Sequence, residues 1–580
     1  MASIPLPFSL PTSNFSSISI TTSSSSLYPL SGKHYQTFNH RKLRNPNVSK
    51  VPRCANQDNP RPNSEGEQPH IVGHRRNVLI GLGGLCGAAN LSNNPLAFEC
   101  GPADIPSGSK PTNCCPPTSQ KIIDYKFPST KQPLKVRPAA HLVNKDYIAK
   151  YKKAIGLMKA LPKEDPRSFY QQANVHCAYC NGAYSQLGFP DLDLQVHNSW
   201  LFFPWHRWYL HFHERILGSL INDPTFALPF WNYDAPLGMQ LPSIYADPKP
   251  PLYDILRNPN HQPPNLIDLD YNFMEDLNAS VSATLAIMYR QVVSGGKTPK
   301  LFFGNAYRAG DKPDPGPGTI ENVPHGPVHG WTGDINQPNN EDMGNFYSAA
   351  RDPIFFAHHS NIDRIWSIWK TLGGKRKDIT DSDWLESGFL LYDENKNLVR
   401  VKVKDSLDTT KLRYVYQDVE IPWLNNKPKP RRSKAQKSTP HTSRNYVKFP
   451  LVLDSVVSTI VERPRKSRSK KEKEEEEEVL VIEGIEYDRN TSVVKFDVFI
   501  NDEDYKVIRP ENTEFAGSFV SVPHSHKHKN KNNTNTYFRL GLSDLLEDLE
   551  VEDDDSIVVT LVPRYGKVKI RGIRIEVVDD

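Results

Sequence analysis

Apolar residues recur at helical spacing in three stretches, residues 144–160, 207–220 and 358–372. The last is the clearest, because Ile362, Ile365, Trp366 and Trp369 fall on one face of a 3.6-residue repeat and predict a helix with one buried side. Between residues 102 and 138 no period holds and prolines crowd, which predicts irregular chain. From 384 to 424 the pattern becomes alternation, as in Leu398-Val399-Arg400-Val401-Lys402-Val403, and a period of two predicts strand. Alternation returns in residues 493–500 and 556–562, so 446–580 reads as an all-β, sandwich-like domain. Residues 425–445 are Pro, Lys, Arg and Ser with scarcely an apolar side chain, and predict an exposed linker open to proteolysis. Inside the β region, residues 466–478 run from a basic block into an acidic one, which predicts a solvated hairpin tip or loop insertion.

These elements divide the chain. Its 580 residues are too many for one compact core, and the pattern predicts a mainly-α domain over 98–424, the linker, and the β domain over 446–580. The 49 prolines and 24 tyrosines fit long irregular connections with many half-polar packing residues. The net charge of +5 is spread in blocks of both signs and forms no stripe, so nucleic acid is excluded as a partner.

Residues 1–97 read as targeting sequence. Residues 1–57 hold no Asp or Glu, carry the serine run 23–26 and scatter Lys33, Arg41, Lys42, Arg44 and Lys50, the composition of an organelle transit peptide. A second signal follows: Arg75-Arg76 stands before the apolar residues 78–89, and Ala97 supplies a small residue after a polar spacer. That apolar run has about a dozen residues where a spanning helix needs ~20, so no stable membrane span is expected. A plastid address followed by a twin-arginine transfer signal predicts the chloroplast thylakoid lumen.

Five of the seven cysteines, Cys100, Cys114, Cys115, Cys177 and Cys180, crowd into about eighty residues after this leader. Two disulfides would use four and leave one thiol with another fate; alternatively all five stay reduced and buried.

The histidines carry the chemistry. His176, His197 and His206 form one group in the sequence, and His325, His329 and His359 a second. Four residues apart on a helix, His325 and His329 share a face and can aim at one metal, with Pro327 tolerated in the first turn. Imidazole-only sites suit copper, zinc or iron. The glutamate of the His-Glu-x-x-His zinc proteases and the paired cysteines of zinc fingers are both missing, which favours copper over a zinc hydrolase. Two three-histidine sites on facing helices of a four-helix bundle would make a dinuclear centre.

The stretches 176–184, 197–217, 229–234, 325–333 and 345–366 resemble the plant polyphenol oxidases, the catechol oxidase and tyrosinase family. Asp383-Trp384-Leu385, Tyr414-Val415-Tyr416 and Lys495-Phe496-Asp497-Val498 are similar to marks of that family's later segments. The resemblance implies two copper ions in a central four-helix bundle, the first held by His176, His197 and His206, the second by His325, His329 and His359, the second of the tandem pair. It implies the disulfides Cys100–Cys115 and Cys114–Cys177 and a thioether between Cys180 and His197. It also implies that Phe346 is a gate residue over the second copper and that Glu321 holds a water.

The activity so implied is oxidation of o-diphenols to o-quinones with reduction of dioxygen to water. The chain would be a latent precursor with a C-terminal shield, and its partners a small phenol, dioxygen and an activating protease. Family members that also hydroxylate monophenols commonly carry an asparagine after the first histidine of the second site. Gly326 stands there in this chain and offers no side-chain acceptor, so weak monophenol hydroxylation is expected. A tyrosinase acting on both classes is the nearest alternative. A dioxygen carrier is more distant, having little use for a plastid leader or a removable shield. His524, His526 and His528 read as part of a solvated loop.

Overall fold

The computed structural model describes residues 100–271, 280–431, 446–487, 493–524 and 536–579. The targeting segments read in residues 1–97 lie outside the described residues, as do 432–445 and His526 and His528. Among the described residues no helix is long and apolar enough to cross a membrane.

The first part is mainly helical. Asn144 accepts the Tyr147 N–H and caps helix α1, Lys145–Ala160; Ser168 accepts the Gln171 N–H and caps α2, Phe169–Cys180. Helix α3, Phe202–Leu220, is buried almost throughout, its polar residues His206, Arg207, His211, His213 and Glu214 included. The short helix α4, Gly326–Thr332, follows a kinked segment, Glu321–His325, and has Pro327 in its first turn. Helix α5, Ile354–Thr371, packs against α3 and buries Ile362, Ile365, Trp366 and Trp369. Strands Gly388–Tyr392 and Leu398–Lys402 pair antiparallel beside these helices.

The second part is strand-rich. Strands β1 (Val457–Glu462), β2 (Glu476–Ile485), β3 (Val494–Ile500), β4 (Phe515–Ser521), β5 (Thr536–Gly541), β6 (Ser556–Tyr565) and β7 (Gly572–Asp579) make two antiparallel sheets. Their orders are β4-β3-β6-β1 and β5-β2-β7, with an apolar core between them that includes Phe496, Phe519, Leu480 and Leu561. Two short helices, Lys470–Glu475 and Ser543–Asp548, interrupt an otherwise all-β pattern.

Three expectations change. Residues 466–475 are largely exposed, as a solvated insertion should be, but Ser469 and Glu472 form a capping box that starts a helix there, and the end of the acidic block enters β2. Glu478 is buried there and pairs with Arg463 at 2.7 Å, so paired charge is carried into the sheet. The start of the segment read as an exposed linker is tied down as well. The Lys429 N–H donates to Glu511 O, the Arg431 N–H donates to the Glu514 carboxylate, and Arg431 pairs with Asp502 at 2.7 Å. Finally, His524 is 1% exposed and belongs to no solvated loop.

Candidate metal centre

Four helices, one loop and one kinked segment carry the histidines: α2 supplies His176, the loop before α3 His197, α3 His206, the kink into α4 His325, α4 His329, and α5 both His358 and His359. The nitrogens of His176, His197 and His206 lie within 4.8 Å of one another, and those of His325, His329, His358 and His359 form a second such group. The groups touch. His206 and His359 stack at 4.1 Å with 9° between the rings, and His197 lies 5.6 Å from His325.

The rings are aimed by backbone carbonyls. Nδ1 of His176 bonds Phe346 O at 2.8 Å, that of His206 Phe202 O at 2.8 Å, that of His325 Glu321 O at 3.0 Å and that of His329 Met343 O at 2.8 Å. A proton held at Nδ1 leaves Nε2 as a lone-pair donor, and all four Nε2 atoms are buried without a hydrogen-bond partner. Both ring nitrogens of His197, His358 and His359 are likewise unpartnered. Seven buried imidazoles with orphaned nitrogens are costly for a protein with nothing to bind there, and they fit a metal that takes neutral nitrogen ligands. Burial pushes their basicity down, to about 3 for His176 and about 4 for His329, so the rings are neutral near pH 7.

The tandem pair divides its contacts. His359 reaches both groups through His206, His325 and His329, whereas His358 faces His325, His329 and Tyr233. His358 thus joins the second group, although the family resemblance implies its neighbour His359 as the ligand of the pair. Phe346 lies face to face on His197 at 4.1 Å and borders His329 at 5.5 Å, so it lines the gap between the groups. Glu321 is buried. Its Oε1 accepts the Asn198 N–H at 2.5 Å, tying the His197 loop to the segment that carries His325, and burial pushes its carboxyl well above the usual carboxylate range. Cys100–Cys115 and Cys114–Cys177 are disulfides, and the second anchors the proline-rich segment to α2. Cys180 is buried outside any disulfide.

Behind the histidines, Arg207 on α3 pairs with Asp363 on α5 at 2.5 Å, and Asp234 pairs with Arg364 at 3.1 Å. These buried pairs fix the helices that position the rings. In front, the strand-rich part closes the mouth. Val520 and Val522 are buried in the core of the helical part, the Phe346 N–H donates to Pro523 O at 3.2 Å, and the His524 ring covers Phe346 at 5.6 Å. Lys495 reaches across to Asp270 at 2.7 Å.

Comparison with known proteins agrees with this architecture. Residues 166–372 match the common central domain of tyrosinase, 378–429 the polyphenol oxidase middle domain, and 449–577 the chloroplastic polyphenol oxidase C-terminal domain. The chain is 63% identical to the chloroplastic polyphenol oxidase of Malus domestica over 542 residues, 89% of this chain and 91% of that one. It is 61% identical to chloroplastic polyphenol oxidase A1 of Vicia faba over 591 residues, 96% of each. The structure of latent apple tyrosinase superposes with a TM-score of 0.76 at 66% identity, covering 79% of this chain and all of that one. Fold and site together define a tyrosinase-type domain whose histidine clusters are the donor set of a copper centre. The chain belongs to the plant polyphenol oxidase family, a family of oxidoreductases.

Proposed function

We propose that this chain oxidises o-diphenols to o-quinones at two copper ions, one held by His176, His197 and His206 and the other by His325, His329 and His359. The observation that carries this reading is the set of buried, neutral imidazoles whose orphaned nitrogens converge in two touching groups. Copper, when bound, supplies the redox chemistry, by which two diphenols give four electrons and four protons to one dioxygen and two waters result. The chain's own residues do the rest. Backbone carbonyls hold the ring orientations, and Phe346 offers a flat apolar face beside His197 for an aromatic substrate. His359 is the favoured third ligand of the second ion because it abuts both groups. A thioether between Cys180 and His197 would lock the one ring of the first group that has no carbonyl at Nδ1.

The residues 98–424 act as the catalytic domain and 446–580 as a shield, joined by a linker cleaved within 432–445 by an activating protease. The leader directs the precursor to the thylakoid lumen. A second reading adds hydroxylation of monophenols; it draws support from the apple relative, which is named a tyrosinase, and from Glu321 beside the site. Gly326 argues against it. Copper content, together with rates on a matched monophenol and diphenol before and after trimming, tests both readings. One metal ion or none per chain would overturn the first, and equal rates on the two phenols would favour the second.

A further inference from the structure

Gly326 has no backbone reason to be glycine. It sits at φ −57°, ψ −53°, a right-handed helical conformation open to every L-residue, at the start of α4 where glycine weakens the helix. Nor does the helical part crowd it. The three atoms nearest to a Cβ built at 326 all belong to Val520 of the strand-rich part, with Cγ1 at 2.9 Å and Cβ at 3.3 Å.

Val520 is held there from several sides. Among the described residues β4 is the edge strand of its sheet, with a strand neighbour on one side only. Asn322, four residues before Gly326 across the kink, supplies the missing partner: the Val520 N–H donates to Asn322 Oδ1 at 2.9 Å, and Asn322 Nδ2 donates to Ser518 O. Two and three residues beyond β4, Pro523 and His524 bear on Phe346. The strand therefore cannot slide away from position 326 without breaking a paired backbone contact.

We propose that the missing side chain at 326 is a seat for Val520, which allows the strand-rich part to close over the histidine site. The demand for glycine belongs to the covered chain and lapses once the cover is removed. A side chain at 326 and a tight cover then exclude one another, so the position that bears on monophenol chemistry also sets latency. The link to activity rests on the function proposed above; the seat itself does not.

The test uses the full chain carrying Gly326→Ala, Gly326→Asn or Val520→Phe, and the double variant Gly326→Ala with Val520→Ala. Val520→Phe overfills the seat from the cover side and leaves the histidine segment untouched, so it stands in if the 326 variants fail to fold. Hydrogen exchange of residues 515–521 is read on metal-free protein, and diphenol turnover of the copper-loaded chain is read before and after trimming. Each overfilled variant is expected to exchange about tenfold faster in β4, the factor that strain from an overfilled seat produces, with a matching rise in turnover before trimming. The double variant returns both toward the unsubstituted chain. Unchanged exchange in Gly326→Asn and Val520→Phe, or failure of Val520→Ala to rescue Gly326→Ala, overturns the seat. If exchange responds as expected while the trimmed, unsubstituted chain oxidises no diphenol, the seat stands and the activity reading falls. The reverse pattern separates them the other way.

Discussion

Arg207 and Asp363 meet at 2.5 Å between α3 and α5, the first next to His206 and the second four residues beyond His359. Neither side chain is more than 3% exposed. Asp363 also accepts from Arg137 at 3.3 Å and Tyr414 at 2.7 Å, and from Tyr416. One carboxylate thus ties two histidine-bearing helices to each other and to the strand that holds both tyrosines. Replacing it by its amide, Asp363→Asn, keeps the volume but leaves two buried guanidinium groups short of a counter-charge, at a cost of about 3–5 kcal/mol. Thermal unfolding and copper content should both fall in this variant.

The same pair sets an acid limit. Burial alone would raise the Asp363 pKa, but Arg207 and Arg137 outweigh it and hold the carboxyl below its ordinary value; Asp234 beside Arg364 and Glu214 beside Arg137 behave alike. A pKa depressed in the folded state contributes stability above the unfolded value, about 3.9 for Asp, and that contribution is lost as pH falls through the folded value. The difference in urea midpoint between the unsubstituted chain and Asp363→Asn should therefore be flat above about pH 5 and shrink below about pH 4. A difference that grows on acidification would contradict this assignment of charge.

In the trimmed protein Val520 is gone and position 326 is free to take a side chain. Gly326→Asn there should raise the ratio of monophenol to diphenol turnover by about tenfold or more, as a newly positioned acceptor does. The comparison is made on trimmed samples of equal copper content, and an unchanged ratio counts against a role for this position in substrate choice.

Cys180 is the remaining test of the first group. If its sulfur is joined to His197, alkylation in denaturant without reductant should leave Cys180 unlabelled, and the peptide pair should weigh two hydrogens less than the sum of its parts. Full labelling of Cys180 would rule the thioether out.

Cleavage within 432–445 followed by removal of the strand-rich part should raise diphenol turnover, since Val520, Pro523 and His524 leave the mouth of the site together. Lys427, Lys429 and Arg431 are bonded to the strand-rich part, and residues 427–431 should resist the protease. Turnover that stays level after clean removal would argue against shielding.

Much of this architecture is legible along the chain. The periods of 3.6 and two place α1, α3, α5, β3 and β6, because burial of one face or of alternate residues leaves a local record. His176, His197, His206, His325, His329 and His359 stand out by spacing and by resemblance, and the cysteine count already hints at two disulfides with one sulfur to spare. The capping box at Ser469 and Glu472 was also there to be read, yet the charge of residues 466–478 masked it, since composition does not say which acids find a buried arginine.

Other features exist only in three dimensions. That His358 faces the second group, that His524 is buried over Phe346, and that Val520 stands nearest to where a Cβ at 326 would be all depend on elements far apart in sequence. The contact of Asn322 with Val520 spans 198 positions. Periodicity records what each residue does to its own helix or strand, and it carries no account of which distant surface covers it. The sequence by itself determined the strongly periodic helices and strands, the six histidines expected as donors and the family resemblance; the packing of an edge strand against a kinked histidine segment decided how the site is closed.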